Sequence, residues 1–255
     1  MQRESHAIII GGSLAGLLTS RVLAKHFDRV SIVEGDFFSE QPAPRPGIPQ
    51  SRHLHILLNR GKIILEQLFP GWENELIAAG APSLDPRSIR WFSPAGWAPQ
   101  STPDLNDLIM FSRDLLDWQI RRRLTENMNV HFLEGGTVTG LLANASCTEV
   151  AGVSVRFRDS QNPGNIHAEN LYADLVVDAG GKVSKTPQWL KSLGYEPPQE
   201  TAINAFVGYA SRIYEGSSKL SDTAPVFVST AREHPSFAAS INTQRLSRQV
   251  DGRIE

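Results

Sequence analysis

A single cysteine, Cys147, occurs in the whole sequence, so no internal disulfide can form. A thiol catalyst would need a partner that the neighbouring TEVAGV does not offer, and Cys147 reads as a small buried strand residue. Excess charge is also scarce: Lys+Arg 25 against Asp+Glu 27 leaves a net charge of -2, too little to steer the chain toward nucleic acid or an anionic membrane. No clean apolar run is present. In AIIIGGSLAGLLTSRVLA, the one stretch that could pass for an export signal, Gly11 and Gly12 break the run, Arg21 lies inside it and Glu4 spoils the basic flank. A soluble, cytoplasmic protein without stable membrane insertion is the expectation. Internal repeats and low-complexity tracts are absent, and Asn144-Ala-Ser146 is a glycosylation acceptor pattern that matters only in a secreted protein.

What is present begins with a strand, a tight turn and a helix. HAIII is a β-branched run of the kind that forms a buried parallel strand. GGSLAG follows at once, then Leu14, Leu17, Leu18, Val22 and Leu23 recur at helical spacing before VSIVE gives a second strand. In this βαβ unit Gly11, Ser13 and Gly16 take the three positions of G-x-G-x-x-G, with Gly12 and Ala15 between them. The first position permits the tight turn, the second lets backbone approach a pyrophosphate, and the third allows close packing of helix on strand. The helix N-terminus then faces the phosphates with N–H groups and a partial positive charge. Ser13 departs from glycine, but its hydroxyl can donate to a phosphate oxygen. Glu34 ends the second strand 23 residues after Gly11, where a carboxylate accepting from an adenosine ribose is expected. The competing reading is a packing turn with Glu34 as a solvated edge charge.

Beyond this unit, FFSEQPAPRPGIPQ carries four prolines and reads as an ordered surface loop. The pattern predicts a helix from about 52 to 68, stopped by Pro70-Gly71, and a short helix over ENELIAAG ending at Gly80. Residues 82–103 read as an excursion into a second layer, LIMFSR as a strand and RDLLDWQIRRRL as an amphipathic helix. From Asn129 the pattern is mainly β, with hairpins closing through Gly135-Gly136 and through Asn162-Pro163-Gly164. PQWLKSLG predicts a helix, INAFVGYASRIY a strand of an antiparallel sheet, and the last fourteen residues a fraying tail. His53 and His55 form an H-x-H, but at the start of a predicted helix residues two apart do not share a face, and no carboxylate cluster completes a metal site. Trp91, Phe92, Trp97 and Phe111 read either as an aromatic substrate wall or as core.

GGSLAGLLTSRVLA…VSIVEGD, PGIPQSRHLHILLNRGKIILEQLFPG, FSRDLLDWQIRRRL and DLVVDAGGKVSKTPQWLKSLGY together resemble FAD-dependent monooxygenases of the p-hydroxybenzoate hydroxylase and squalene epoxidase type. The resemblance runs to about Tyr214. It implies an α/β fold: a Rossmann-like FAD-binding βαβ domain with a mixed sheet, over 1–80 and 105–195, and a partial antiparallel β substrate domain over 81–104 and 196–241, before a tail at 242–255. It further implies an arginine on FAD at Arg52, with Arg45 as second choice, and another along the ribityl-pyrophosphate arm at Arg113. Asp178, Gly180, Gly181 and Ser184 resemble the family's second fingerprint, with Gly180 where Thr or Asp usually stands. FAD as cofactor and NAD(P)H as co-substrate follow from the resemblance. So does a flavin hydroperoxide hydroxylating or epoxidising a small apolar substrate, with no catalytic side chain assigned. Family members continue to a later G-D motif that lies outside this chain. The expectation is therefore a fragment, a truncated product, or a half whose FAD domain a second chain completes. A flavoprotein reductase or dehydrogenase of the same fold, and a non-catalytic remnant or subunit, are the alternative readings.

Overall fold

The computed structural model describes residues 4–53, 55, 57–79, 81, 83–99, 108–126, 129–162, 164–204, 206, 208–212, 226–229 and 237–240. Its elements begin with β1 (His6–Ile10), α1 (Leu14–Leu23), β2 (Arg29–Glu34), α2 (Asn59–Leu68), α3 (Trp72–Ala78) and β3 (Ser83–Leu84). Then follow β4 (Arg90–Ser93), β5 (Gly96–Trp97), β6 (Leu108–Ile109), α4 (Arg113–Thr125), β7 (Val130–Glu134) and β8 (Gly136–Ala143). The series closes with β9 (Val150–Arg158), β10 (Ile166–Tyr172), β11 (Leu175–Asp178), α5 (Thr186–Ser192), β12 (Val226–Ser229) and β13 (Phe237–Ser240). Two compact units divide the chain: Met1–Arg52 with Asp114–Tyr209, and His53–Arg113 with Ala210–Glu255.

The first unit is built on a parallel sheet of order β11-β1-β2-β7. Uninterrupted apolar strands suit a sheet covered on both faces, and Ala7, Ile8, Ile9, Val30 and Ile32 are completely buried. Gly16, Leu17 and Ser20 form the buried side of α1. The antiparallel sheet β10-β9-β8 supplies Val138, Val153 and Val155 to a core shared with Ile8, Val33 and Ala173. Each such aliphatic side chain contributes about 1.5–3 kcal/mol on burial, so this seam is a main source of the unit's stability.

In the second unit Leu65, Phe69, Trp72 and Leu76 are buried. Its larger sheet has the order β13-β12-β4-β5, with β12 parallel to β4 and β13 antiparallel to β12. β3 and β6 form a separate antiparallel pair. Among the described residues no helix is long and apolar enough to cross a membrane.

Several sequence expectations are corrected. The helix expected from 52 starts at Asn59, and a 3-10 turn over Pro49–Arg52 precedes it. The His55 Nδ1 atom meets the His53 carbonyl at 2.8 Å, taking an acceptor that a continuing helix would need. Gly135-Gly136 does not close a hairpin: β7 pairs with β2 in the parallel sheet and β8 with β9 in the antiparallel one. Paired glycines signal a turn but do not say which strand the chain pairs with next. Cys147 is exposed, at φ 53, rather than buried in a strand. Asn144 Oδ1 accepts from Thr148 N at 2.9 Å and shapes a turn there. The strand expected over INAFVGYASRIY is absent from its described residues, where Asn204 Oδ1 captures Phe206 N at 2.9 Å and Phe206 sits at φ 52. Alternation alone therefore does not produce a strand here. The tail at 242–255 lies outside the described residues.

Candidate functional site

Gly11 follows β1 at φ +100, and its N–H donates to Val33 O at 2.8 Å. A Cβ there would lie 2.7 Å from Ala179 O, and one on Gly16 would lie 1.9 Å from Gly11 O. Glycine is thus required at the first and third positions of the elbow, for the turn and for the approach of α1 to β1. Ser13 stands at the N-cap of α1 with extended backbone and makes no side-chain cap bond, and no acidic residue lies in the first turn. Ala15 is exposed on that turn. The start of α1 therefore carries no carboxylate of its own to compete with an incoming anion.

Glu34 is held at this elbow. Its Oε2 accepts from Gly12 N at 2.7 Å and its Oε1 from Asp36 N at 2.9 Å. Behind it lies Arg45, whose side chain is 6% exposed. Arg45 Nη2 donates to Gly12 O at 3.0 Å and reaches Asp117 Oδ2 at 3.4 Å. Its Nη1 lies 3.4 Å from Glu34 Oε2 and 3.8 Å from Asp36 Oδ2, and is buried without a hydrogen-bond partner. The Phe38 ring lies 4.8 Å from this guanidinium and 4.4 Å from that of Arg121, whose Nη2 donates to Ser39 O at 2.6 Å. Burial is the largest influence on Arg121 and lowers its pKa.

The second fingerprint lies beside the first. β11 runs parallel to β1 with Ile10 opposite Asp178, and Ala179 N donates to Ile10 O at 2.8 Å. Burial pushes the Asp178 carboxyl up, but hydrogen bonds from Ser184, Thr186 and Gly180 N outweigh it and hold the pKa below its ordinary value. Asp178 thereby shapes the turn that carries Gly180 and Gly181. Gly181 adopts φ +71, and a Cβ there would meet nothing within 4 Å, so its backbone is open to approach.

The structure brings together Gly11, Gly12, Ser13, Ala15, Gly16 and Glu34, with Asp178, Gly180 and Gly181 on the adjoining strand end. Arg52, the first choice for a cofactor arginine, is exposed at the end of its 3-10 turn, whereas the second choice, Arg45, is wired into the elbow. Arg113 opens α4 and is half-buried. The four aromatic residues do not make one wall. Trp91, Phe92 and Trp97 are exposed on β4 and β5, while Phe111 meets the buried Trp72 edge-on at 6.1 Å. His53 Nδ1 meets Ser211 Oγ at 3.0 Å. Among the described residues no group of three or more His, Cys, Asp and Glu could hold a metal. Asp117 was missed, although it lies three and seven residues before Ile120 and Leu124 on the buried side of α4, and a carboxylate on an apolar helix face needs a partner.

No family model matches the chain. It is similar to Protein Rv3254 of Mycobacterium tuberculosis, with 36% identity over 214 residues that cover 82% of this chain and 44% of that protein. The structure of PqsL of P. aeruginosa in complex with 2-aminobenzoylacetate aligns at a TM-score of 0.58 and 14% identity, over 89% of this chain and 55% of that one. A triple mutant of the flavin-dependent brominase Bmp2 aligns at 0.56 and 19%, over 92% and 53%. The p-nitrophenol 4-monooxygenase PnpA of Pseudomonas putida aligns at 0.52 and 16%, over 74% and 44%. The chain has the Rossmann-type fold of FAD-dependent monooxygenases and halogenases. It spans 44% of the length of the mycobacterial relative and 44–55% of these three structures.

Proposed function

We propose that this chain is the nucleotide-binding part of an FAD-dependent oxidoreductase of the monooxygenase type, acting on a small apolar substrate with NAD(P)H as reductant. The observation that carries the reading is the Glu34 carboxylate held 2.7 Å from Gly12 N at the rim of the glycine elbow. The donor set fits an adenine dinucleotide. The elbow from Gly11 to Gly16 and the start of α1 would receive the diphosphate, and a remaining lone pair of Glu34 would accept from a ribose hydroxyl. Gly180 and Gly181 offer backbone without side chains on the adjoining turn. Arg52 and Arg113 are candidates for the ribityl-pyrophosphate arm, where a guanidinium pairs well with phosphate oxygens. FAD, when bound, supplies the redox chemistry and the activation of oxygen, which is why no side-chain nucleophile is needed. A cytoplasmic location belongs to the same proposal.

Absorption spectra during titration of the purified chain with FAD test the reading. Saturable perturbation of the flavin bands is expected, and oxygen uptake coupled to NAD(P)H oxidation in the presence of a substrate would distinguish a monooxygenase from a reductase that turns over without oxygen. A chain that leaves the flavin spectrum unchanged overturns the proposal.

A further inference from the structure

We infer that Arg45 is a positioning residue for the nucleotide site: from behind the elbow it fixes the direction of the Glu34 carboxylate and makes that carboxylate selective for the ribose diol, without itself touching the ligand. The inference rests on the nucleotide-binding reading above and adds a role that the glycine motif does not contain. Four observations converge on this residue. Its side chain is 6% exposed, so no surface face is left for ligand contact. Its Nη2 donates to the carbonyl of Gly12, the same residue whose N–H holds Glu34 Oε2. Its Nη1, buried without a hydrogen-bond partner, stands 3.4 Å from that Oε2 atom. Asp117, on the buried side of α4, anchors the guanidinium from the far side at 3.4 Å.

A planar fork with five donors can serve a carbonyl and carboxylates on different segments at once, which an ammonium cannot. Glu34 carries four lone-pair sites, and the N–H groups of Gly12 and Asp36 take two of them. With Arg45 facing Oε2, the remaining acceptor capacity is held in one orientation, and a hydroxyl entering it meets a carboxylate that needs no reorganisation. The cofactor's hydroxyls would then be recognised by a geometry that Arg45 sets and Glu34 delivers.

The test compares binding of ADP and 2′,3′-dideoxy-ADP by calorimetry, with unfolding followed separately. The unsubstituted chain should prefer ADP by roughly 10- to 100-fold, the range for hydrogen bonds to a charged acceptor. Arg45→Lys keeps a positive charge among the carboxylates but cannot bridge them. Its preference should fall below about threefold while its affinity for the dideoxy compound stays within about threefold of the original. Asp117→Asn, which loosens the anchor alone, should lower the preference partway and serves as the measurement if Arg45→Lys does not fold. A full preference retained in a folded Arg45→Lys variant, or in Asp117→Asn where that is the variant measured, overturns the inference. If the unsubstituted chain binds neither nucleotide or does not distinguish them, the nucleotide-site reading fails first and takes this role with it.

Discussion

Arg45 lies within 4 Å of the buried or nearly buried carboxylates of Glu34, Asp36 and Asp117. Removing one member of such a cluster strands the others, which costs more than the pairing itself is worth. Arg45→Met should therefore destabilise the protein by about 3–5 kcal/mol, read from the midpoint of denaturant unfolding at unchanged slope. Ala15 poses the opposite case, because it is exposed and packs against little. Ala15→Asp puts a negative charge on the first turn of α1, where the helix dipole tolerates or favours it by about 0.3–1 kcal/mol. The fold should be unharmed, yet FAD affinity should drop about tenfold or more through repulsion of the diphosphate. Unchanged flavin binding in this variant would remove the diphosphate from the elbow. At this scale the glycine pattern and Glu34 were legible because turn geometry restricts residue type so strongly. The place of Arg45 against the elbow was not legible, since only the folded proline-rich loop brings its guanidinium to Gly12 O and Glu34.

β1, β2 and β10 meet through His6. At the start of β1 the His6 Nδ1 atom donates to Tyr172 O at 2.8 Å, and Nε2 lies 2.9 Å from the buried Ser31 hydroxyl of β2. Burial is the largest influence here and lowers the His6 pKa below its ordinary 6.5, against the opposing pull of the Tyr172 carbonyl. The unfolded imidazole takes up a proton below that value while the folded one resists it, so this contribution is present above about pH 6.5 and fades as the pH falls. His6→Gln should flatten the pH dependence of the unfolding midpoint between about pH 7 and 5, with little change at pH 8. A slope equal to that of the unsubstituted chain would exclude His6 as its source. The same strands show where periodicity reads true. β1 was recognisable as a buried parallel strand from its run of apolar residues after His6, and β2 as the second strand of the βαβ unit. The glycine pair at the junction of β7 and β8 does not close a hairpin but sends the chain from one sheet to another, a choice made by β2, one hundred residues earlier, and by β9.

For the molecule as a whole, ligand linkage gives the broadest check. If the nucleotide site is formed as described, FAD at 100 times its dissociation constant should stabilise the chain by about 2.7 kcal/mol, seen as a rise in melting temperature. With affinity lowered about tenfold, Ala15→Asp should keep only about 1.4 kcal/mol of this at the same FAD concentration, so its rise should be about half as large or less. A melting temperature indifferent to FAD, with Ala15→Asp identical to the unsubstituted chain, would count against the site.

The sequence alone determined the opening βαβ unit, the glycine elbow and the acidic residue that follows it. Each depends on local rules: hydrophobic period, the backbone freedom of glycine, and a fixed number of residues between a turn and the end of the next strand. Only the tertiary structure decided that Arg45 and Asp117 close around that elbow and that Gly135 parts two sheets. It likewise decided that INAFVGYASRIY, despite its alternation, makes no strand over its described residues. Those outcomes turn on contacts between segments distant along the chain, which no local pattern encodes.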